Sequence, residues 1–173
     1  MKKILKKDFF ERDAFEVAEE LLGKYLVRRH RGKEISLKIN EVEVYDGHED
    51  RASKASRGKT EANSPMFGEA GRFYVYLTYG MYWMLNIVTS DKGYPSAVLI
   101  RGAGEIDGPG KLTRDLKINK SFNNKKSLPE NNLWFEDKGE KVAKNEITKT
   151  SRVGIDRSGP EWSKKPFRFL LND

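Results

Sequence analysis

The chain has 173 residues, a formal net charge of +7, 37% hydrophobic side chains, two His and no Cys. That length suits a single domain with an adequate core, and the missing cysteines exclude a disulfide scaffold, a thiolate metal site and a cysteine nucleophile. No apolar run is long enough to cross a bilayer, and the basic start meets Asp8 and Glu11 before any signal-like apolar region develops, so a soluble, intracellular chain is expected.

Asp13 is placed to cap a helix, with Glu16 three residues later as capping-box partner. Ala14, Val17, Ala18, Leu21 and Leu22 keep helical spacing up to a Gly23 C-cap, which predicts about three turns. Tyr25 to Val27 reads as a short strand leading into a basic turn from Arg28 to Lys33. Residues 35–45 alternate as a strand. Its parity puts Ile35, Leu37 and Ile39 on one face, and continued without interruption it sends Glu41, Glu43 and Tyr45 to the same side. Either a bulge near Asn40 flips the face, or carboxylates point toward the buried side, which is costly unless they are hydrogen-bonded or have a task.

Residues 46–71 are polar and glycine-dotted, with Met66 and Phe67 as an apolar anchor, and they predict a long functional loop. A strand over 72–79 turns at Tyr79-Gly80-Met81 into a return strand over 82–88, giving a hairpin with tyrosine at its tip. Residues 97–101 read as a buried strand ending in Arg101, and GPGKL at 108–112 as a tight turn opening a helix. It is not a phosphate loop, which needs wider spacing and a Ser or Thr. The lysine- and asparagine-rich stretch 113–150 carries one strand-like segment near Leu133. Arg152 to Ile155 and Phe167 to Leu171 read as final short strands.

Charge is uneven along this chain: +4 over residues 1–40, −3 over 41–110 and +6 over 111–173. Basic flanks around an acidic, aromatic middle fit a polyanion gripped at the edges and worked on at the centre, although the same pattern arises from solvated faces. Glu43 is either a general acid or base with a shifted pKa or an edge-strand carboxylate paired with a cation. Tyr74, Tyr76, Tyr79 and Tyr82 are sheet surface, core, or a platform for stacking bases. Asn86 is a satisfied core amide or a pocket hydrogen-bonder, and Arg101 holds an anion or snorkels. His30 and His48 lack metal-ligand spacing and sit among charges.

Several segments, taken in order, resemble the alkyladenine (3-methyladenine) DNA glycosylases of the mammalian type: LLGKYLVRR at 21–29, EVEVYDGHEDRAS at 41–53, RGKT at 57–60, MFGEAGRFYVYLTYGMYWMLNIV at 66–88, AVLIR at 97–101, GPGKLTRDLKINKSF at 108–122, RVGID at 152–156 and EWSKKPFRF at 161–169. The resemblance implies an α+β single domain, a curved and mostly antiparallel sheet with surrounding helices, and a protruding hairpin that enters the DNA minor groove. It implies a monofunctional base-excision enzyme that flips a damaged purine nucleotide out of double-stranded DNA. Glu43 then looks like the general base that activates water, with Arg101 beside base and water. Tyr79 looks like the wedge filling the vacated space, Tyr45 and Tyr76 like the aromatics stacking on the base, and Asn86 like the amide that disfavours guanine. Lys111, Lys120 and Lys165 are candidates for backbone phosphates. No metal or cofactor is implied, nothing requires more than a monomer, and a cytoplasmic, nucleoid-associated location follows.

The chain departs from the family pattern in places. Lys54 stands where the family has a pocket His. Ala62 replaces an Arg before Asn63, the 101–108 segment is compressed, and Asp173 falls short of the family's last strand, a loss expected either to weaken the domain or to leave an open sheet edge. Two other functions fit the residues: a glycosylase/lyase using Lys54 as an amine nucleophile, and a non-catalytic lesion or minor-groove binder that keeps Tyr79 without turnover.

Overall fold

The computed structural model describes residues 1–172. Its strands are β1 (Lys3–Ile4), β2 (Tyr25–His30), β3 (Lys33–Asp46), β4 (Phe73–Thr78), β5 (Tyr82–Val88), β6 (Ser96–Ala103), β7 (Ile106–Asp107), β8 (Leu133–Asp137), β9 (Ile147–Thr150) and β10 (Arg168–Leu171). Four short helices accompany them: α1 (Lys7–Phe10), α2 (Ala14–Leu21), α3 (Pro109–Asp115) and α4 (Pro160–Ser163). The strands form one open sheet in the order β1-β8-β2-β3-β6-β5-β4, with β7 added to β6 and with β10 joining β3 to β9. Every strand pairing is antiparallel. The α+β fold expected from the sequence is the one found.

The 14-residue strand β3 decides where the site lies. Its first half pairs with β2 and its second half with β6 and β10. Between Ile39 and Glu41 the register with β6 shifts by one residue, and it shifts back between Glu41 and Val42. Asn40 is thus the extra residue on β3, and Arg101 the extra residue on β6. An inserted residue reverses the side-chain parity of everything after it. Ile39, Val42 and Val44 consequently all face the main core, while Glu41, Glu43 and Tyr45 turn to the opposite face. The bulge near Asn40 is the device that spares the core a carboxylate.

The main core gathers Phe10 of α1, Val17 and Leu21 of α2, Phe73, Val75, Leu85 and Ile87 of the hairpin strands, and Leu112 of α3. A smaller cluster on the other face joins Ala55, Met66 and Phe67 of the long loop to Tyr74, Val88 and Ala97 of the sheet, with Tyr45 and Tyr76 packed against it. The Met66-Phe67 anchor thus pins the 46–71 loop across the face that carries Glu43. Pro109 begins α3 after Gly108, whose φ of +109° no β-carbon-bearing residue adopts comfortably.

Five expectations need correction. Helix α2 has eight residues, about two turns rather than three, because Leu22 is already extended. Asp13 caps it, accepting from the N–H groups of Phe15 and Glu16 at 2.8 and 3.2 Å, while the Glu16 carboxylate faces an outer cavity and leaves the capping box one-armed. β2 runs on to His30 because its arginines pair in register with β3, so the basic turn shrinks to Arg31 and Gly32. Arg152 to Ile155 is not a strand: Val153 gives its N–H to Glu43 instead of a ladder, and Gly154 takes a φ of +71°. A strand appears instead at Ile147–Thr150, whose single apolar residue gave no alternating signal and which forms through pairing with β10.

Candidate active site

A cavity of about 630 Å³ opens on the sheet face opposite the main core, lined by Tyr45, Lys54, Tyr76, Arg101 and Val153, by the hairpin tip at Tyr79, and by the 107–111 turn. Glu43 lies behind this wall, fully buried, with Tyr45, Arg101 and Val153 between it and the opening. Its Oε1 accepts the Val153 N–H at 2.8 Å and stands 3.6 Å from Arg101 Nη1. Its Oε2 accepts from the Tyr45 hydroxyl at 3.3 Å, a long contact for two oxygens. Burial pushes the Glu43 carboxyl above its ordinary range, against the pull of Arg101, the Val153 N–H, Arg152 and Tyr45. A carboxylate held this way is a stronger proton acceptor near neutrality than an exposed one.

The two bulges aim the partners. Arg101 Nε donates to Glu41 Oε1 at 2.9 Å, and Arg168 Nε donates to the same oxygen at 2.7 Å. Glu41 therefore holds Arg101 in place from the same face of β3, two residues from Glu43.

Behind the site lies a buried ion pair that sequence reasoning missed. Arg152 and Asp50, both with fully buried side chains, pair in a fork: Nη1 to Oδ2 at 2.7 Å and Nη2 to Oδ1 at 2.9 Å. Arg152 Nη1 also donates to the Val44 carbonyl at 2.9 Å, and its guanidinium stacks 4.7 Å from the Tyr45 ring centroid. Asp50 further accepts the N–H groups of Asp46 and Ala52. One guanidinium thus ties together the strand bearing Glu43, the loop bearing Lys54 and the segment whose Val153 N–H meets Glu43. The signal was an acidic-basic pair split over a hundred positions, which no local pattern exposes.

Tyr74 and Tyr76, neighbours on one face of β4, have ring centroids 5.1 Å apart. Burial raises their hydroxyl pKa values, that of Tyr74 to about 12, so both rings stay neutral at working pH. Lys54 Nζ sits over the Tyr76 ring, 5.2 Å from its centroid. The loop carrying Lys54 is fastened by buried Asn63, whose amide donates to the carbonyls of Lys54 and Gly58 at 2.9 Å each. Asn86 is buried beneath this wall, donating to the Tyr74 and Met84 carbonyls at 3.1 and 3.4 Å, and it borders only a small void next to Tyr45, Lys54 and Tyr76. Its donors are spent on backbone, so it meets the large cavity through those neighbours.

Tyr79 stands at the hairpin tip with 82% of its surface exposed. Tyr79 and Gly80 both have positive φ, 51° and 66°, and the Met81 N–H closes the turn onto the Thr78 carbonyl at 3.1 Å. Met81, Tyr82 and Leu77 are exposed beside it. Tyr79, at the apex of this apolar tip, is left largely in solvent at the cavity rim.

The three candidate phosphate contacts border different features. Lys111 is at the cavity mouth but paired with Asp107 at 2.7 Å. Lys120 borders a second cavity of about 570 Å³, lined also by Tyr76 and Trp83. Lys165 lies over Trp162 and near Glu161 and lines neither cavity. A further cavity of about 660 Å³ beside α2 mixes Glu16, Glu19, Glu20 and Glu140 with Lys24, Lys141 and Lys144, and shares no residue with the cavity in front of Glu43. No helix among the described residues is long and apolar enough to cross a membrane.

The chain matches the family model described as methylpurine-DNA glycosylase over residues 8–107 and 105–173. It is 39% identical over 186 aligned positions to a protein of Methanocella arvoryzae named "Putative 3-methyladenine DNA glycosylase", covering 96% of this chain and 91% of that one. Proteins of the same name are 40% identical in an Anaeromyxobacter species, over 96% of this chain and 88% of the other, and in Legionella pneumophila strain Paris, over 100% and 96%. The cavity beneath the exposed hairpin and the buried carboxylate at its back thus sit in a chain that belongs to the methylpurine-DNA glycosylase family, a family of base-excision repair DNA glycosylases.

Proposed function

We propose that this chain is a monofunctional purine glycosylase that flips alkylated or deaminated purine nucleotides out of duplex DNA and hydrolyses their N-glycosidic bond with a water activated by Glu43. The observation that carries the reading is the buried carboxylate of Glu43, held by Arg101 and the Val153 N–H at the back of an aromatic cavity beneath an exposed tyrosine hairpin. A base inside a duplex is out of reach of such a cavity, so the nucleotide must leave the stack. Tyr79 takes its place, and Tyr45 and Tyr76 offer faces to the extruded base.

Oε1 of Glu43 is engaged by Val153, which leaves Oε2, met only by the distant Tyr45 hydroxyl, to take the water's proton. The C1′–N9 bond breaks with its electron pair on the base, the water oxygen bonds to C1′, and the released proton rests on Glu43. Positive charge developing on the sugar is stabilised by the same carboxylate. The departing purine is neutral if it began cationic; otherwise it leaves as an anion and collects a proton. The chain works on DNA inside the cell as a monomer, without metal or cofactor.

Base release from duplexes carrying single lesions, with and without borohydride, tests the reading. Free base without a trapped adduct is the expected result. Release with a covalent adduct would make Lys54 a nucleophile and the enzyme a lyase. Lesion binding without release would make the protein a non-catalytic binder.

A further inference from the structure

We infer that Lys54 makes the cavity favour neutral purine lesions over cationic ones, an inference that rests on the glycosylase reading above. Four charged side chains line the cavity: Lys54, Arg101, Asp107 and Lys111. Lys111 and Asp107 neutralise each other at 2.7 Å. Arg101 is held by Glu41 at 2.9 Å and faces Glu43 at 3.6 Å. Lys54 alone forms no ion pair among the described residues, and its ammonium lies over Tyr76, 5.2 Å from the ring centroid.

That position acts on the base in two ways. Purines alkylated at N3 or N7 carry a full positive charge as nucleosides, and the attraction they would draw from a tyrosine face is already taken by the protein's own cation. A cationic base entering the cavity must displace that ammonium and remain near it. A neutral lesion meets no such repulsion, and its ring nitrogens or exocyclic oxygen accept a hydrogen bond from the three donors of Lys54. The second effect is kinetic. When C1′–N9 breaks, its electron pair leaves a cationic purine neutral but makes a neutral purine an anion. An ammonium displaced from the Tyr76 face to the edge of the bound base stabilises only the second. Lys54 is exposed and flexible, so solvent and side-chain motion reduce the discrimination to about tenfold.

Single-turnover excision from three duplexes tests this, two with neutral lesions (hypoxanthine and 1,N6-ethenoadenine) and one with cationic 7-methylguanine. Lys54→Met keeps the stem and removes the charge, and Lys54→Arg keeps the charge. The ratio of neutral to cationic excision should fall about tenfold or more in Lys54→Met and stay within about threefold of wild type in Lys54→Arg. Comparing ratios cancels the differing intrinsic lability of the lesions. An unchanged ratio in Lys54→Met, or an equal fall in both variants, overturns the inference while leaving the glycosylase reading intact. Failure of the wild-type protein to release any of the three bases overturns that reading and the inference with it.

Discussion

Replacing Glu43 by Gln removes one proton-accepting oxygen and one charge while keeping the shape of the side chain. The amide oxygen still accepts the Val153 N–H, and Arg101 keeps its 2.9 Å bond to Glu41. The scaffold of the site is therefore preserved, and the loss falls on proton transfer. General-base assistance is worth about 10²–10⁴-fold, or about 2.7–5.4 kcal/mol of barrier, and single-turnover excision should fall by that factor. Stability should move the other way. Glu43 is held above its ordinary pKa by burial, so the fold favours its protonated form. That contribution is complete below the unfolded value near 4.5 and is lost as pH rises through the folded pKa. Gln carries no such penalty, so the Tm of the variant relative to wild type should increase from pH 4 to pH 8. The acid limb of the wild-type rate should likewise lie above the range of an exposed glutamate and vanish in the variant. Near-normal excision by a well-folded Glu43→Gln protein would refute the mechanism. A variant that unfolds at pH 8 would mean that Glu43 is a structural partner of Arg101.

Other residues give independent tests. Glu41→Gln retains an oxygen for both Arg101 and Arg168 and should cost excision less than about tenfold; a loss equal to that of Glu43→Gln would move the base to Glu41. Tyr79→Ser should cost about 1–3 kcal/mol of lesion-duplex affinity in a fluorescence titration, while Tyr79→Gly should lose the same affinity and raise Tm, because glycine relieves the positive φ; a large drop in Tm would make Tyr79 a packing residue. Asp50→Asn leaves the Arg152 guanidinium buried and under-paired and should destabilise by about 3–5 kcal/mol in urea unfolding; a loss below about 1 kcal/mol would deny the clamp its role. Log affinity for duplex DNA should fall linearly with log salt, by about 0.9 per phosphate neutralised, and Lys120→Gln should lower that slope by about one contact if Lys120 meets the backbone.

Much of this protein is legible in its sequence because the relevant signals are local. Alternation over residues 72–79 and the apolar run over 82–88, with Tyr79-Gly80 between them, specify the hairpin, since Gly80 readily takes the positive φ such a turn needs. The Asp13 cap, the Pro109 start of α3 and the Met66-Phe67 anchor are equally short-range. Glu43 stands out in its strand because a carboxylate among valines must be satisfied or employed. The sequence left the face of Glu43 open between a bulge and a buried charge; the paired insertions at Asn40 and Arg101 decide it, and they exist only as a register between two strands. The Arg152–Asp50 fork, the Val153 N–H on Glu43 and the ammonium of Lys54 over Tyr76 join segments far apart in the chain. Hydrophobic period and turn chemistry report on neighbours within a few residues, whereas a buried ion pair is fixed by what the folded chain brings within 3 Å of it. That is why residues 152–155 read as a strand in the sequence and became, in the tertiary structure, the irregular segment that holds the candidate base in place.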